Sequence, residues 1–195
     1  LNEKSAVVRA LLALNFRRQG KYDLALENLE TVAVLEPDEP MWEVDLGNTW
    51  AEKGDLLVAL VHFQKATTLD PQNSLYWQYL ARFAVDYSVN VSSIGLPAAR
   101  QAVVLAPNDP AALDVMGWTM VSLSDYATAE RFLQQAVNRD ATYPLALLHL
   151  GQLYLQEQNL DRAYSYLKRA SLLAGDDTTG MVAKRLLLRY FSEGS

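Results

Sequence analysis

An all-α solenoid is the fold that this sequence predicts, on three observations. Alanine and leucine abound, while the 195 residues hold only 9 glycines and 7 prolines, a balance that favours helix. Apolar residues recur at three- and four-residue steps, the mark of an amphipathic helix. The pattern also repeats: Pro37 and Pro71 stand 34 residues apart, as do Gly117 and Gly151, and a fixed period of that size signals stacked helical units.

Each unit reads as two helices. After Leu46-Gly47 come Trp50, Gly54, Ala59, Phe63, Ala66 and Pro71. After Leu150-Gly151 the same rhythm gives Tyr154, Leu160, Ala163, Leu167, Ala170 and Gly175. After Met116-Gly117 it gives Met120, Tyr126, Ala129, Leu133, Ala136 and Ala141. The earliest copy runs Leu12-Ala13, Phe16, Gly20, Tyr22, Ala25, Leu29, Val32 and Pro37. Turns fall at Gln19-Gly20-Lys21, Lys53-Gly54-Asp55 and Leu123-Ser124-Asp125, where glycine or a short polar residue suits a helix end. Second helices stop at Glu36-Pro37 and Asp70-Pro71, because proline cannot continue a helix and restricts its predecessor. First helices open at Asn73-Ser74 and Asp109-Pro110, where a side-chain oxygen caps and proline suits the first turn.

Glycine inside a helix costs about 1 kcal/mol relative to alanine, so its return at 47, 117 and 151 needs a reason. Packing supplies one. These glycines align with Ala59, Ala129 and Ala163 on the second helices, and small residues on both sides let two helices cross closely. Trp50, Phe63, Tyr154 and Leu167 are expected to fill the space beside the crossing. Gly47→Leu would overpack it.

The repeated pattern resembles the tetratricopeptide repeat (TPR) family. The likeness rests on Trp77, Leu80 and Ala81, on Leu46 to Trp50 and Leu150 to Tyr154 as "L-G-x-x-aromatic" elements, on the later alanines and on the closing prolines, and it covers residues 4 to 175. It implies a right-handed superhelical solenoid of about five helix-turn-helix units, with first helices lining a concave groove. The whole chain, 1–195, is then a single domain, with repeats at about 4–39, 40–73, 74–109, 110–143 and 144–177.

Two segments depart from the period. Pro71 and Pro107 are 36 residues apart, and the insert falls within Asp86 to Pro97, "DYSVNVSSIGLP". The helix after it should start late, carry Pro97 in its first turn and end near Ala106. The expected form of the insert is an extended turn at a solvent edge, with a hinge or widened groove as the alternative. Past Gly175, residues 177–194 read as a terminal capping helix with Val182, Leu186 and Tyr190 on one stripe, since a solenoid must cover its last apolar face. Leu187, Leu188 and Phe191 make it apolar enough to start a sixth repeat or to dock a partner.

Composition narrows the function. Half of the residues are hydrophobic and 21% charged, the net charge is −6 and there is no cysteine. Disulfides and thiolate metal sites are excluded, and an acidic chain is not built for nucleic acid or anionic lipid. No apolar run approaches the ~18 residues of a membrane span. Leu1-Asn2-Glu3-Lys4 shows neither an initiator Met nor a signal peptide, so the expectation is a piece of a longer or processed protein. A soluble, cytoplasmic location is expected, though the sequence does not fix the compartment. From Asp23 to Asp55 there are ten acidic residues and one basic, while Leu160 to Ser195 holds six basic and four acidic; solvated helix faces account for this, and a steering dipole is the alternative.

No constellation for catalysis stands out, and no cofactor or metal is expected. His62 and His149 fall in different repeats without a partner at metal-ligand spacing, and His62 is expected in solvent on an outer helix. There is no phosphate-binding glycine loop and no nucleophile elbow. Asp38-Glu39 and Asp176-Asp177 lie at helix starts, where capping explains them.

What remains is binding. Projecting the period onto first-helix faces turned from the second helices places Asn48, Gln78, Tyr79, Arg82, Asp114, Trp118, His149 and Gln152 in the groove, with Arg17, Asp45 and Glu52 towards one end. Tyrosine, tryptophan and arginine are the residue types of interface anchors. Trp118 is turned about 100° from Gly117 and so away from the helix crossing, and Asn48 and Gln152 suit the backbone of an extended peptide. One TPR subclass, in heat-shock chaperone cofactors, grips a C-terminal carboxylate. Only Asn48 matches that set, so the clamp is not carried over. The expected function is a non-catalytic scaffold that takes a peptide or helical segment of another protein. Self-association into a homo-oligomer through Leu1 and the terminal helix competes with it, as does a role as appendage of a larger enzyme or regulatory protein.

Overall fold

Local sequence rules account for most of the helix boundaries in the computed structural model, which describes residues 6–191. Within that span the helices pair as α1 (Ala6–Arg18) with α2 (Tyr22–Leu35), α3 (Pro40–Lys53) with α4 (Leu56–Leu69), α5 (Ser74–Asp86) with α6 (Leu96–Leu105), α7 (Pro110–Ser122) with α8 (Tyr126–Arg139), and α9 (Pro144–Gln156) with α10 (Leu160–Ala174). A final helix, α11 (Thr178–Phe191), closes the stack, and no strand occurs among the described residues. Leu1, residues 4 and 5 of the first repeat and residues 192–194 of the terminal helix lie outside the described span.

The turn after the first helix is built the same way in all five units. A left-handed residue follows that helix: Gly20 at φ 71°, Gly54 at φ 101°, Ser88 at φ 55°, Ser124 at φ 62° and Gln158 at φ 59°. The next backbone N–H then reaches back five residues, from Lys21 to Phe16 and from Asp55 to Trp50, which satisfies an end carbonyl. The same position caps the second helix in three units, where Asp55, Asp125 and Asn159 accept from the N–H groups of Val58, Thr128 and Arg162. First helices open on Glu39, Asn73 and Asp109, each accepting from the N–H two residues on.

The helix crossings correct one expectation. The intrahelical glycines are met most closely not by the small alanines of the second helices but by a large side chain one turn further on, although the Ala129 carbonyl also lies 3.2 Å from where a Cβ of Gly117 would be. A methyl group on Gly47 would stand 3.0 Å from the Phe63 ring, and one on Gly117 or Gly151 would stand 2.6 Å from Leu133 or Leu167. Knob and hole are thus glycine and aromatic or leucine, while Ala59, Ala129 and Ala163 are fully buried beside them. In the third unit alanine stands at both places, Ala81 at the glycine position and Ala99 at the leucine position, and both are fully buried.

The insert of that unit is wound rather than extended. After left-handed Ser88 and Asn90, Val91–Gly95 form a π-helical turn closed by the Leu96 N–H donating to the Val91 carbonyl. Gly95 is buried, with Ala84 3.1 Å from where its Cβ would be, and Val89 and Ile94 pack on the core. α6 begins at Leu96 with Pro97 in its first turn and ends at Leu105, as the proline predicts.

α11 lies on α10 and touches α9, the relation that α7 bears to α6 and α5. It therefore takes the place of a next first helix and covers the end of the core. Its buried stripe differs from the predicted one: Ala183 is buried and Val182, Leu186, Leu187 and Phe191 pack on the core, while Tyr190 is exposed. At its start Asp177 accepts from the Gly180 N–H at 2.8 Å, and a Cβ on Gly180 would collide with the Gly175 carbonyl.

Gly151→Ala should therefore destabilise the fold by about 1–3 kcal/mol in urea unfolding followed by circular dichroism. Combined with Leu167→Ala, its effect should fall below the sum of the two single changes, because the second change removes the group that the new methyl strikes.

Candidate functional site

First helices meet one another across units and second helices do not. α3 touches α5, α5 touches α7 and α7 touches α9, with no comparable contact from α4 to α6, α6 to α8 or α8 to α10. The first helices are therefore the closely spaced, inner row of the curved stack, and their faces turned from the second helices form its concave side.

At the middle of that side the three helices α5, α7 and α9 are tied through one carboxylate. Asp114, in the middle of α7, has no exposed side-chain surface. Its Oδ1 lies 2.7 Å from Nδ1 of His149 on α9, and its Oδ2 lies 3.8 Å from Nη2 of Arg82 on α5. That last distance is too long for a hydrogen bond, and Oδ2 is buried without one. One turn beyond Asp114, the Trp118 ring lies flat on the His149 imidazole, with centroids 4.2 Å apart and planes 5° from parallel.

Two further groups complete the cluster. Asp86, one turn beyond Arg82, lines the same pocket as Trp118 and stays exposed at its rim; partial burial pushes its carboxyl up, against the lowering by Arg82 and His149. The Tyr143 hydroxyl lies against Arg82, and burial together with the Asp114 charge pushes it up to about 12. Burial opposes the Arg82 charge, but Asp114, Tyr143 and Asp86 outweigh it and hold that pKa above its ordinary value. Arg82, Asp86, Asp114, Trp118, His149, Val115 and Leu145 enclose a pocket of about 100 Å³.

Of the residues projected into the groove, Arg82, Asp114, Trp118 and His149 come together here. Three are not the surface readers that the sequence suggests. Asp114 and His149 are buried against each other. Gln78 is buried too, its amide N–H groups spent on Ser74 Oγ at 2.9 Å and Asp109 Oδ2 at 2.7 Å, which stitches α5 to the start of α7. Each meets the neighbouring first helix, a contact that single-helix projection leaves out. Asn48, Tyr79 and Gln152 are half-buried, with side chains that make no hydrogen bond within the described residues. Towards the N-terminal end Arg17 is 3.5 Å from Asp45 and 3.6 Å from Glu52.

His62 also differs from its expected place in solvent. Its Nδ1 is 2.8 Å from Glu43, a buried carboxylate that also holds Lys65 at 2.7 Å. Asp86 and Tyr143 were not among the projected residues. Asp86 was legible as the i+4 neighbour of Arg82 on one helix face; Tyr143 precedes Pro144 outside any helix, where periodicity carries no signal. Among the described residues no group of three or more His, Cys, Asp or Glu could hold a metal ion, and no helix is long and apolar enough to cross a membrane.

Such a stack, with helix pairs repeated at one period and first helices on the inside, is an all-helical repeat solenoid. Residues 11–74 and 120–180 each match a family model described as tetratricopeptide repeat, and the stretch left between them holds the wound insert. The chain belongs to the tetratricopeptide repeat family. Its fold is similar to that of TTC0263, a thermophilic TPR protein in Thermus thermophilus, with a TM-score of 0.77 at 21% identity over 94% of this chain and 100% of that one. It is similar to MamA 41-end from Desulfovibrio magneticus RS-1, with 0.62 at 20% over 91% and 99%, and to yeast Tom70, with 0.75 at 16% over 95% and 40%. At these identities the likeness is one of fold. No curated protein sequence matches the chain.

The Asp86 carboxyl holds its proton more tightly in the folded chain than in the unfolded one, so its ionisation destabilises the fold as pH rises through the raised pKa. Asp86→Asn removes that effect. The variant should melt at a higher temperature than wild type near pH 7, and the gap should close towards ~pH 4, in thermal unfolding followed by circular dichroism.

Proposed function

We propose that this chain is a non-catalytic scaffold that binds a peptide or helical segment of a partner protein along its concave side. TPR repeats are in general protein-interaction modules. The observation that carries the reading is the row of half-buried side chains on successive inner helices: Asn48 on α3, Tyr79 and Arg82 on α5, Trp118 on α7 and Gln152 on α9.

Each has a role in that reading. Asn48 and Gln152 present amide donors and acceptors, free of partners among the described residues, to the backbone of an extended segment. Tyr79 and Trp118 offer broad rings that bury area at little entropic cost. Asp114 and His149, and Gln78 beside them, act from beneath by holding the inner helices and the Trp118 ring in register.

Self-association is the second reading, and exposed Leu172, Leu173 and Met181 near the C-terminal end favour it. A pull-down from native lysate, quantified by mass spectrometry, separates the two. The Tyr79→Ala/Trp118→Ala protein should keep its helical circular dichroism and lose the partner recovered with wild type. Recovery of the same proteins by both would overturn the groove reading, and a mass that rises with concentration in both would support self-association.

A further inference from the structure

We infer that the centre of the groove is a site for a basic side chain of the partner segment, met best by the planar guanidinium of arginine. The inference rests on the groove reading above and adds the chemistry of what is recognised there.

Charge comes first. The pocket walls carry two carboxylates, Asp86 and Asp114, against one permanent cation, Arg82. Tyr143, pushed up to about 12, stays protonated and adds no charge, so the walls hold more carboxylates than permanent cations. Arg82 does not discharge both acids: it stands 3.8 Å from Asp114, and Asp114 Oδ2 is buried with no hydrogen bond. Asp114, with no exposed surface, is a carboxylate held away from water without full compensation, which is costly unless a cation arrives, whereas Asp86 stands exposed at the rim where that cation would enter. The raised Asp86 pKa agrees with this.

Shape and surface follow. A pocket of about 100 Å³ has room for about three water molecules, enough for a guanidinium or ammonium head but not for an aromatic ring. Val115 and Leu145 line it beside the charged groups, and an aliphatic stem would lie against them. Trp118 stacks one face on His149. Its ring and Asp86 also border a wider open cleft of about 620 Å³, together with Val85, Val121 and Gln156. A cation entering from that cleft meets an indole and a carboxylate at once, the pairing that suits arginine over lysine because a guanidinium both stacks and bonds in a plane. An acidic side chain would instead face Asp86 and Asp114 with Arg82 already engaged.

The test is a selection of random peptides displayed on phage, run on the full chain, followed by synthesis of an enriched sequence and of its copy with the basic residue changed to glutamine. The expected result is a shared arginine or lysine among peptides that fail to bind the Tyr79→Ala/Trp118→Ala protein. The glutamine copy should bind wild type about tenfold more weakly. On Asp86→Asn, whose fold is checked by its melting curve, the two copies should bind alike. Groove-dependent peptides with no shared basic residue, or a glutamine copy that binds wild type equally well, would overturn the cation site and leave the groove reading standing. A difference between the copies that persists on Asp86→Asn would overturn it as well. Recovery of no peptide, or only of peptides that bind the double variant as well as wild type, would remove both.

Discussion

The close seat of one large side chain on a glycine of the facing helix governs how three of the five helix pairs stand, and alanine takes the glycine's place in the other two. Phe63 on Gly47, Leu133 on Gly117 and Leu167 on Gly151 bring first and second helices to a separation that any Cβ would widen. That fixed separation lets each pair present the same shape to the next, so the units stack with a constant step. The step leaves the first helices in contact with one another and the second helices apart. The concave side is a consequence of that step.

On that side the protein departs from the rule that buried groups find partners. Asp114 links neighbouring inner helices on both sides, and it does so with one oxygen satisfied and one not. Trp118 then depends on it at second hand, because the ring rests on the imidazole that Asp114 holds. Asp86 sits at the rim with a carboxyl less stable in its charged form than in water.

The third unit shows how the stack absorbs an insertion. Two extra residues would rotate the second helix out of register if they were taken up as ordinary helix. Instead the chain leaves α5 through left-handed Ser88 and Asn90, winds Val91–Gly95 into a π-helical turn that leads directly into α6, and carries Pro97 in the first turn of that helix. The inner helix α5 is thereby left in line, so Tyr79 and Arg82 keep their places beside α7.

The helix pairs, their period, the left-handed turns and the caps were all determined by the sequence, because each depends on residues within about one unit of one another. The half-buried row of Asn48, Tyr79, Trp118 and Gln152 was legible for the same reason: a helix face follows from spacing alone. Only the tertiary structure decided which projected groove residues were buried. Asp114 meets His149 from 35 positions away and Gln78 meets Asp109 from 31, and in each case the partner comes from the next unit. The stripe of α11 turned towards Leu187 and Phe191, because the surface it covers is made by α9 and α10. The glycine positions were visible in the repeat, and Phe63 and Leu167 were expected beside the crossing; that these side chains seat on the glycines themselves was not visible, since a one-turn shift between facing helices leaves the period of either one unchanged. Periodicity specifies each element and its faces; the offset between elements is set by the shapes that meet when they pack.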